Sequence, residues 1–357
     1  MRHASPTQAS SGRRHQRGKP NRRRRALIIS LSLVVVLVVG AAAGLQLFQS
    51  RLDSNIERIG DPFAALPSRP AVETPADGTA SPINILMLGS DSRISAGDPS
   101  QWTYGGQRTD AIMLVHIPAD RSGAYLFSIP RDSWVDIPGH NQAKINAAFS
   151  WGGPTLMIQT IEQLTDVRID HMAVTDFDAF KALTDELGGV EITTPKDVYD
   201  NGVLVSQAGT HLLTGEQALT YVRERHGLAR GDFDRVQRQQ NWMRAIMARV
   251  QSQGTLGNAG QLLSFLTTVT KSIAVDNEFT LDTMRSLALG MKDVRSANVS
   301  FHTVPVKGTG TSSDGQSIVV IDRPAFDALM TAIRDDTVAE YLKANPDTGD
   351  TLGNVVS

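Results

Sequence analysis

Hydrophobic and polar positions divide the chain into stretches with different periods. Residues 26–48 form its longest apolar run, mainly Val, Leu, Ile and Ala with no charged residue. About 20 apolar residues suffice for a helix to cross a bilayer. The arginines at positions 22–25 favour the cytoplasmic side, which sends everything after the span outside. A cleaved signal peptide is the alternative, because Ala41, Ala42 and Ala43 resemble a small-residue cleavage site. The length of the run favours a retained anchor. Beyond it the runs shorten. Residues 83–88 (INILML) and 111–115 have the length and composition of buried strands. Between them lie Gly89-Ser90-Asp91-Ser92-Arg93, a polar loop, and Arg108-Thr109-Asp110. Two strands thus flank a loop with an acid at each end and an arginine beside both, and α/β folds collect chemistry where strands give way to loops.

From there the pattern alternates. Strand periods recur at 125–129, 171–174, 299–306 and 318–321, and helical periods at 154–164, 177–187, 215–222, 232–250, 259–270, 281–289 and 323–333. The alternation predicts an α/β chain: a single α/β/α domain with a central mixed sheet flanked by helices, preceded by one transmembrane helix. The expected organisation is a basic cytoplasmic tail over 1–25, the membrane helix over 26–48 and an extracytoplasmic linker over 49–80 carrying Pro62, Pro67, Pro70 and Pro75. The folded domain follows over 81–335, and a polar, peripheral tail over 336–357.

Charge changes this picture in one respect. Of the 35 basic residues, nine lie in the first 25 positions, which hold no acid; the rest of the chain carries 37 acidic residues against the other 26 basic ones. An acidic body argues against nucleic acid as a partner. The chain has no cysteine, which excludes disulfides, thiolate metal sites and a cysteine nucleophile.

Charged groups recur just past the apolar runs. Arg131-Asp132 follows the strand ending Ser128-Ile129-Pro130, and Lys144 opens another segment. Arg223 and Arg225 close the segment at 219–222, where a spacing of two would put both on one face if that end is extended. In the 232–250 helix Val236, Met243, Ile246, Met247 and Val250 fall within a stripe roughly 100° wide. Gln239 projects inside that stripe and Arg235 lies at its edge, whereas Arg238 points outward. A buried arginine needs a partner. An internal ion pair with Asp132 or Asp185 is one reading, and an anionic ligand is the other. Several arginines beside two acids fit a pyrophosphate with a divalent metal, because guanidinium offers parallel donors to phosphate and carboxylates hold Mg²⁺. No Walker-type glycine loop is present. Ser90, Asp110 and His116 could form a hydrolase triad, but no nucleophile-elbow signature accompanies them. His116, His140, His171 and His226 show no metal-ligand spacing.

The segments NILMLGSDSR (84–93), RTDAIMLV (108–115), SIPRD (128–132), KINAAFSWGG (144–153), LTGEQA (213–218), VRERH (222–226) and DFDRVQRQQ (232–240) together resemble the LytR–CpsA–Psr family of bacterial envelope enzymes. The resemblance spans roughly residues 82–330. It implies an apolar pocket for a polyprenyl chain with the pyrophosphate at its mouth, and a membrane-anchored phosphotransferase with its catalytic domain outside the cell. The donor would be a glycopolymer on a polyprenyl-pyrophosphate carrier, of teichoic acid, capsule or arabinogalactan type. The acceptor would be peptidoglycan, and membrane lipid a further partner. Carried onto this chain, Asp91 and Asp110 would hold Mg²⁺, or Mn²⁺, and act in catalysis with Arg108. Arg108, Arg131, Arg223, Arg225, Arg235 and Gln239 would grip the phosphates, with Lys144 a lesser candidate. The 16-residue loop over 92–107, with Trp102 and Tyr104, is longer than the family's pattern. The alternative function is a non-catalytic polyprenyl-phosphate binder, scaffold or regulator of the envelope.

Overall fold

The computed structural model describes residues 44, 46–71, 80–90, 109–200, 202–224, 228–255, 258–353 and 356. Residues 51–357 form one compact unit, and residues 46–50, which are helical, belong to a separate one. Most of the expected membrane span therefore lies outside the described residues, and among those described no helix is long and apolar enough to cross a bilayer.

An eight-stranded mixed sheet forms the centre. Its strands in chain order are Glu57–Arg58 (β1), Ile83–Ser90 (β2), Thr109–Ile117 (β3), Ala124–Ser128 (β4), His171–Thr175 (β5), Ala274–Val275 (β6), Val299–Thr303 (β7) and Asp350–Thr351 (β8). They lie side by side as β1-β6-β5-β2-β3-β4-β7-β8. β2 runs parallel to β5, β4 runs parallel to β7, and β3 runs antiparallel between β2 and β4. The carboxyl ends of β2, β4, β5 and β7 and the start of β3 therefore share one edge of the sheet, where open α/β sheets place their ligands.

Alternation along the strands produces two cores. Leu86, Leu88, Ile112, Leu114 and Phe127 face the helices Asn146–Thr165 and Arg323–Arg334, packing on Phe149, Met157, Ile161, Phe326 and Ile333. Their sequence neighbours Ile85, Met113, Val115 and Leu126 face the other way, onto Met243 and Met247 of the helix Asp232–Ser252 and Met284 of Leu281–Gly290. Helices thus cover both faces, as the alternation of elements predicted. A third cluster joins the helices Phe177–Glu186 and Gly215–Arg223 through Phe177, Phe180, Leu219 and Val222.

The structure departs from the sequence reading at both ends of the domain. In the expected linker, β1 pairs in the sheet, Ile56 and Ile59 are buried, and Arg69 pairs with Glu162 at 2.7 Å. In the expected tail, β8 pairs with β7 and Asp336 accepts from His116 at 3.0 Å. Both segments are polar overall, yet a few apolar residues, Leu52, Ile56, Ile59 and Val338 among them, are buried in the core, and hydrogen bonds and ion pairs hold the rest. The helix expected at 154–164 begins earlier, at Asn146, and kinks at Gly152 and Gly153, just ahead of Pro154.

Candidate functional site

The site is built from the shared sheet edge. Opposite the end of β2, Gly89 pairs with Ala111 and Ser90 with Thr109, which leaves Asp110 as an extra residue in β3. Such a bulge bends the strand and re-aims the side chain at the unpaired position. A Cβ on Gly89 would lie 3.2 Å from the Ala111 side chain, so the bulge leaves little room for a larger residue there.

Asp110, aimed by this bulge, ion-pairs with Arg131, which leaves β4 three residues past Ser128. The Arg131 Nε lies 3.9 Å from Asp132 and 3.8 Å from Asp232. Asp232 opens the helix Asp232–Ser252 and forms an ion pair with Arg235 Nη2 at 2.6 Å, while Lys144 Nζ lies 3.2 Å from Asp132. Three carboxylates and three cations thus form one network, and none of these side chains is more than 26% exposed. Arg235 is the most enclosed, at 2%.

Of the candidate residues, Asp110, Arg131, Lys144 and Arg235 are brought together. Arg235 pairs with Asp232, three residues away on its own helix, rather than with Asp132 or Asp185; Asp185 accepts from the Gly215 amide at 2.7 Å. Arg223 stands apart: it is exposed, with its guanidinium 4.3 Å from the Phe177 ring centroid. It closes the helix Gly215–Arg223 rather than an extended segment. Among the described residues neither Arg223 nor Gln239 joins the network through a hydrogen bond or ion pair. Asp91, Arg108 and Arg225 lie outside the described residues, as does the loop over 92–107. The hydrolase triad is not assembled: the two ring nitrogens of His116 are taken by Asn84 at 2.8 Å and Asp336 at 3.0 Å.

The supporting residues were not apparent from the pattern. Gln240, fully buried, donates to the Ser128 hydroxyl and the His302 carbonyl, each at 2.9 Å, and so ties the helix to the ends of β4 and β7. Arg238, expected to point outward, is buried; it donates to the Tyr221 carbonyl and pairs with Glu224, both at 3.2 Å. Asn241 donates to the Tyr221 hydroxyl at 3.1 Å. Two turns of polar side chains therefore fix this helix to the sheet edge and to the segment leading into Arg225.

The LytR_cpsA_psr family model matches residues 64–335, which include every described member of the network. The chain belongs to this family. It is 34% identical over 315 residues to the probable cell wall biosynthesis protein LcpB of Corynebacterium glutamicum, covering 86% of this chain and 70% of the relative. It is 36% identical over 180 residues to the polyisoprenyl-teichoic acid–peptidoglycan teichoic acid transferase TagT of Bacillus subtilis, an alignment covering 48% of this chain and 54% of the relative. The fold is similar to a structure of TagT bound to LI-WTA, with a TM-score of 0.57 and 25% identity over 76% of this chain and 98% of that one. The family match stops at residue 335, so the segment carrying β8 is additional to it.

Proposed function

We propose that this LytR–CpsA–Psr protein is a membrane-anchored phosphotransferase that moves a glycopolymer from a polyprenyl-pyrophosphate carrier onto peptidoglycan. The observation that carries the reading is the pairing of a bulge-aimed carboxylate, Asp110, with Arg131, which shares Asp232 with the buried Arg235. Guanidinium groups held at a partly dry sheet edge suit the charge that develops on transferring phosphoryl oxygens. The family relationship and the teichoic acid transferase activity that TagT is named for support the same chemistry.

In this reaction an acceptor sugar hydroxyl attacks the phosphorus that bears the glycopolymer. The new P–O bond forms as the bond to the bridging oxygen breaks, and polyprenyl phosphate leaves with the electron pair. The hydroxyl proton passes to a carboxylate, Asp91 or Asp110. Arg131 and Arg235, with Arg108, Arg225 and Lys144, hold the phosphates and oppose their charge. Among the described residues no group of three acids or histidines is arranged to hold a metal ion, but Asp110 offers the hard oxygen donors that Mg²⁺ prefers, and Asp91 would complete the pair. Mg²⁺ or Mn²⁺ bound there would act as a Lewis acid on the non-bridging oxygens.

Charge balance favours this reading over passive lipid binding. The described network is neutral, three acids against three bases. A pyrophosphate diester adds negative charge at a site where acids already occupy the arginines, and a divalent cation on the acids offsets it. A pure anion binder gains nothing from those acids. The test is reconstitution of the full chain with lipid-linked glycopolymer and peptidoglycan fragments. A phosphodiester-linked product formed by the wild type and lost in Asp110→Asn is expected; product formation undiminished in that variant would overturn the assignment.

A further inference from the structure

A cavity opens on the same sheet edge, just past the carboxyl end of β7. It holds about 550 Å³ and lies between Pro305 and Val306 after β7, Asp322 and Ala325 at the start of the helix Arg323–Arg334, and the 344–350 segment. That volume lies within the roughly 300–1,000 Å³ range of small-ligand sites. Two links run from its lining toward the ion-pair network. The Val304 amide donates to the Ser128 carbonyl at 3.0 Å, ahead of Arg131. Arg230 bridges Asp350 in the cavity wall and Asp234 beside Arg235, both at 2.7 Å. The 344–350 wall is held close to the sheet by Gly349, at φ 70°, where a Cβ would overlap the Thr303 carbonyl.

The lining states what it would accept. It contains no Lys, Arg or His, so the pyrophosphate has no partner there. It offers apolar surface from Pro305, Val306 and Ala325 beside acceptor oxygens of Asp322 and Asp347. Asp322 precedes a helix yet makes no capping hydrogen bond, so its carboxylate is not spent on the fold's usual use for that position. Carboxylate oxygens above apolar carbon match a neutral sugar, whose hydroxyls donate and whose C–H faces pack. We infer that this cavity is the subsite for the glycan strand of the acceptor, set beside the phosphate-binding network so that a sugar hydroxyl meets the donor. The inference rests on the phosphotransferase reading for its role, but not for the binding itself. Seven of its twelve lining residues, 344–350, lie beyond the family match at 335.

Binding and partition test it separately. A neutral N-acetylglucosamine tetrasaccharide is added to the full chain in detergent micelles, and saturation-transfer NMR reads its affinity. Reconstituted enzyme then gives the ratio of glycopolymer transferred to peptidoglycan fragments over glycopolymer released to water. Asp322→Ala/Asp347→Ala should weaken tetrasaccharide binding about tenfold and lower that ratio similarly, since each lost hydrogen bond removes a factor of several. Asp322→Asn/Asp347→Asn keeps the acceptor oxygens and should retain most of the affinity. If the amide pair abolishes binding as fully as the alanine pair, or Mg²⁺ alone binds in a variant-sensitive way, the cavity holds a cation and the inference fails. Unaltered saccharide binding in the alanine pair also overturns it. If the wild type transfers nothing yet binds the tetrasaccharide in the expected order of variants, the saccharide site stands and the phosphotransferase reading falls.

Discussion

Replacing Arg235 by methionine separates a ligand-binding arginine from a structural one. The side chain is 2% exposed and its Nη2 lies 2.6 Å from Asp232. Methionine keeps much of the volume, so the loss is mainly electrostatic. Breaking a fully buried pair costs about 3–5 kcal/mol. Asp232, however, is 18% exposed and has the Arg131 Nε 3.8 Å away, so water and a second cation soften the effect. We expect about 2 kcal/mol, which for a domain of this size lowers Tm by roughly 4–8 °C. Arg235→Met/Asp232→Asn removes the stranded carboxylate and should recover most of that stability. Transfer should not recover. Losing one preorganised charge at the transferring phosphoryl group typically costs about 10²–10³ in rate. Circular-dichroism melts and transfer assays on the full chain in micelles measure both quantities. If the double variant regains transfer along with its Tm, Arg235 serves only the fold and the site assignment is wrong.

Arg238→Ala should lower Tm by a similar amount, because it removes the buried contacts to Tyr221 and Glu224; a change within 1 °C would contradict the burial of this side chain. Burial lowers the His302 imidazole from 6.5 to about 4. The unfolded chain therefore takes up the proton first as pH falls, and stability, full above pH 6.5, should drop by about 3 kcal/mol by pH 4. In melts across that range His302→Gln should show a shallower loss than the wild type. EDTA should abolish transfer by the wild type, with Mg²⁺ or Mn²⁺ restoring it, while Asp91→Asn and Asp110→Asn should stay inactive in either condition; transfer that survives chelation would exclude the metal. A reporter fused after Ser357 should be active only in an exported form, and cytoplasmic activity would reverse the topology.

The strands and helices of the centre were readable because each has one or two apolar faces. Ile83–Ser90 and Thr109–Ile117 are buried on both faces and read as continuous apolar runs, while Arg323–Arg334 shows one clear stripe. The short strands β1, β6 and β8 escaped notice, since two residues carry no period. The linker and tail read as solvated for a related reason. Arg69 and Glu162, or His116 and Asp336, are polar residues that fold by finding each other across the sequence, and composition cannot show a distant partner.

The same limit governs the site. The helical wheel over 232–250 points to the right face at Met243, Ile246 and Met247, where one side meets the core and the other is less enclosed. It misplaced Arg238, and it put Gln239 inside the buried stripe although Gln239 is only half-buried, because the helix's first half is enclosed on nearly every side. Asp234, Arg235, Gln237, Arg238, Gln240 and Asn241 are all buried there, enclosed by the sheet edge and by the helix Gly215–Arg223. A hydrophobic period reports which positions avoid water; it says nothing of polar positions that avoid water because they are paired. The bulge at Asp110 is hidden more deeply, because a one-residue excess in β3 leaves the apolar run unbroken and appears only when Gly89 and Ser90 are seen against Ala111 and Thr109. Local rules fail in both places for one physical reason. A site that must present charge at a partly dry sheet edge needs polar groups where the pattern expects apolar ones, and they persist there only if the rest of the fold supplies their partners.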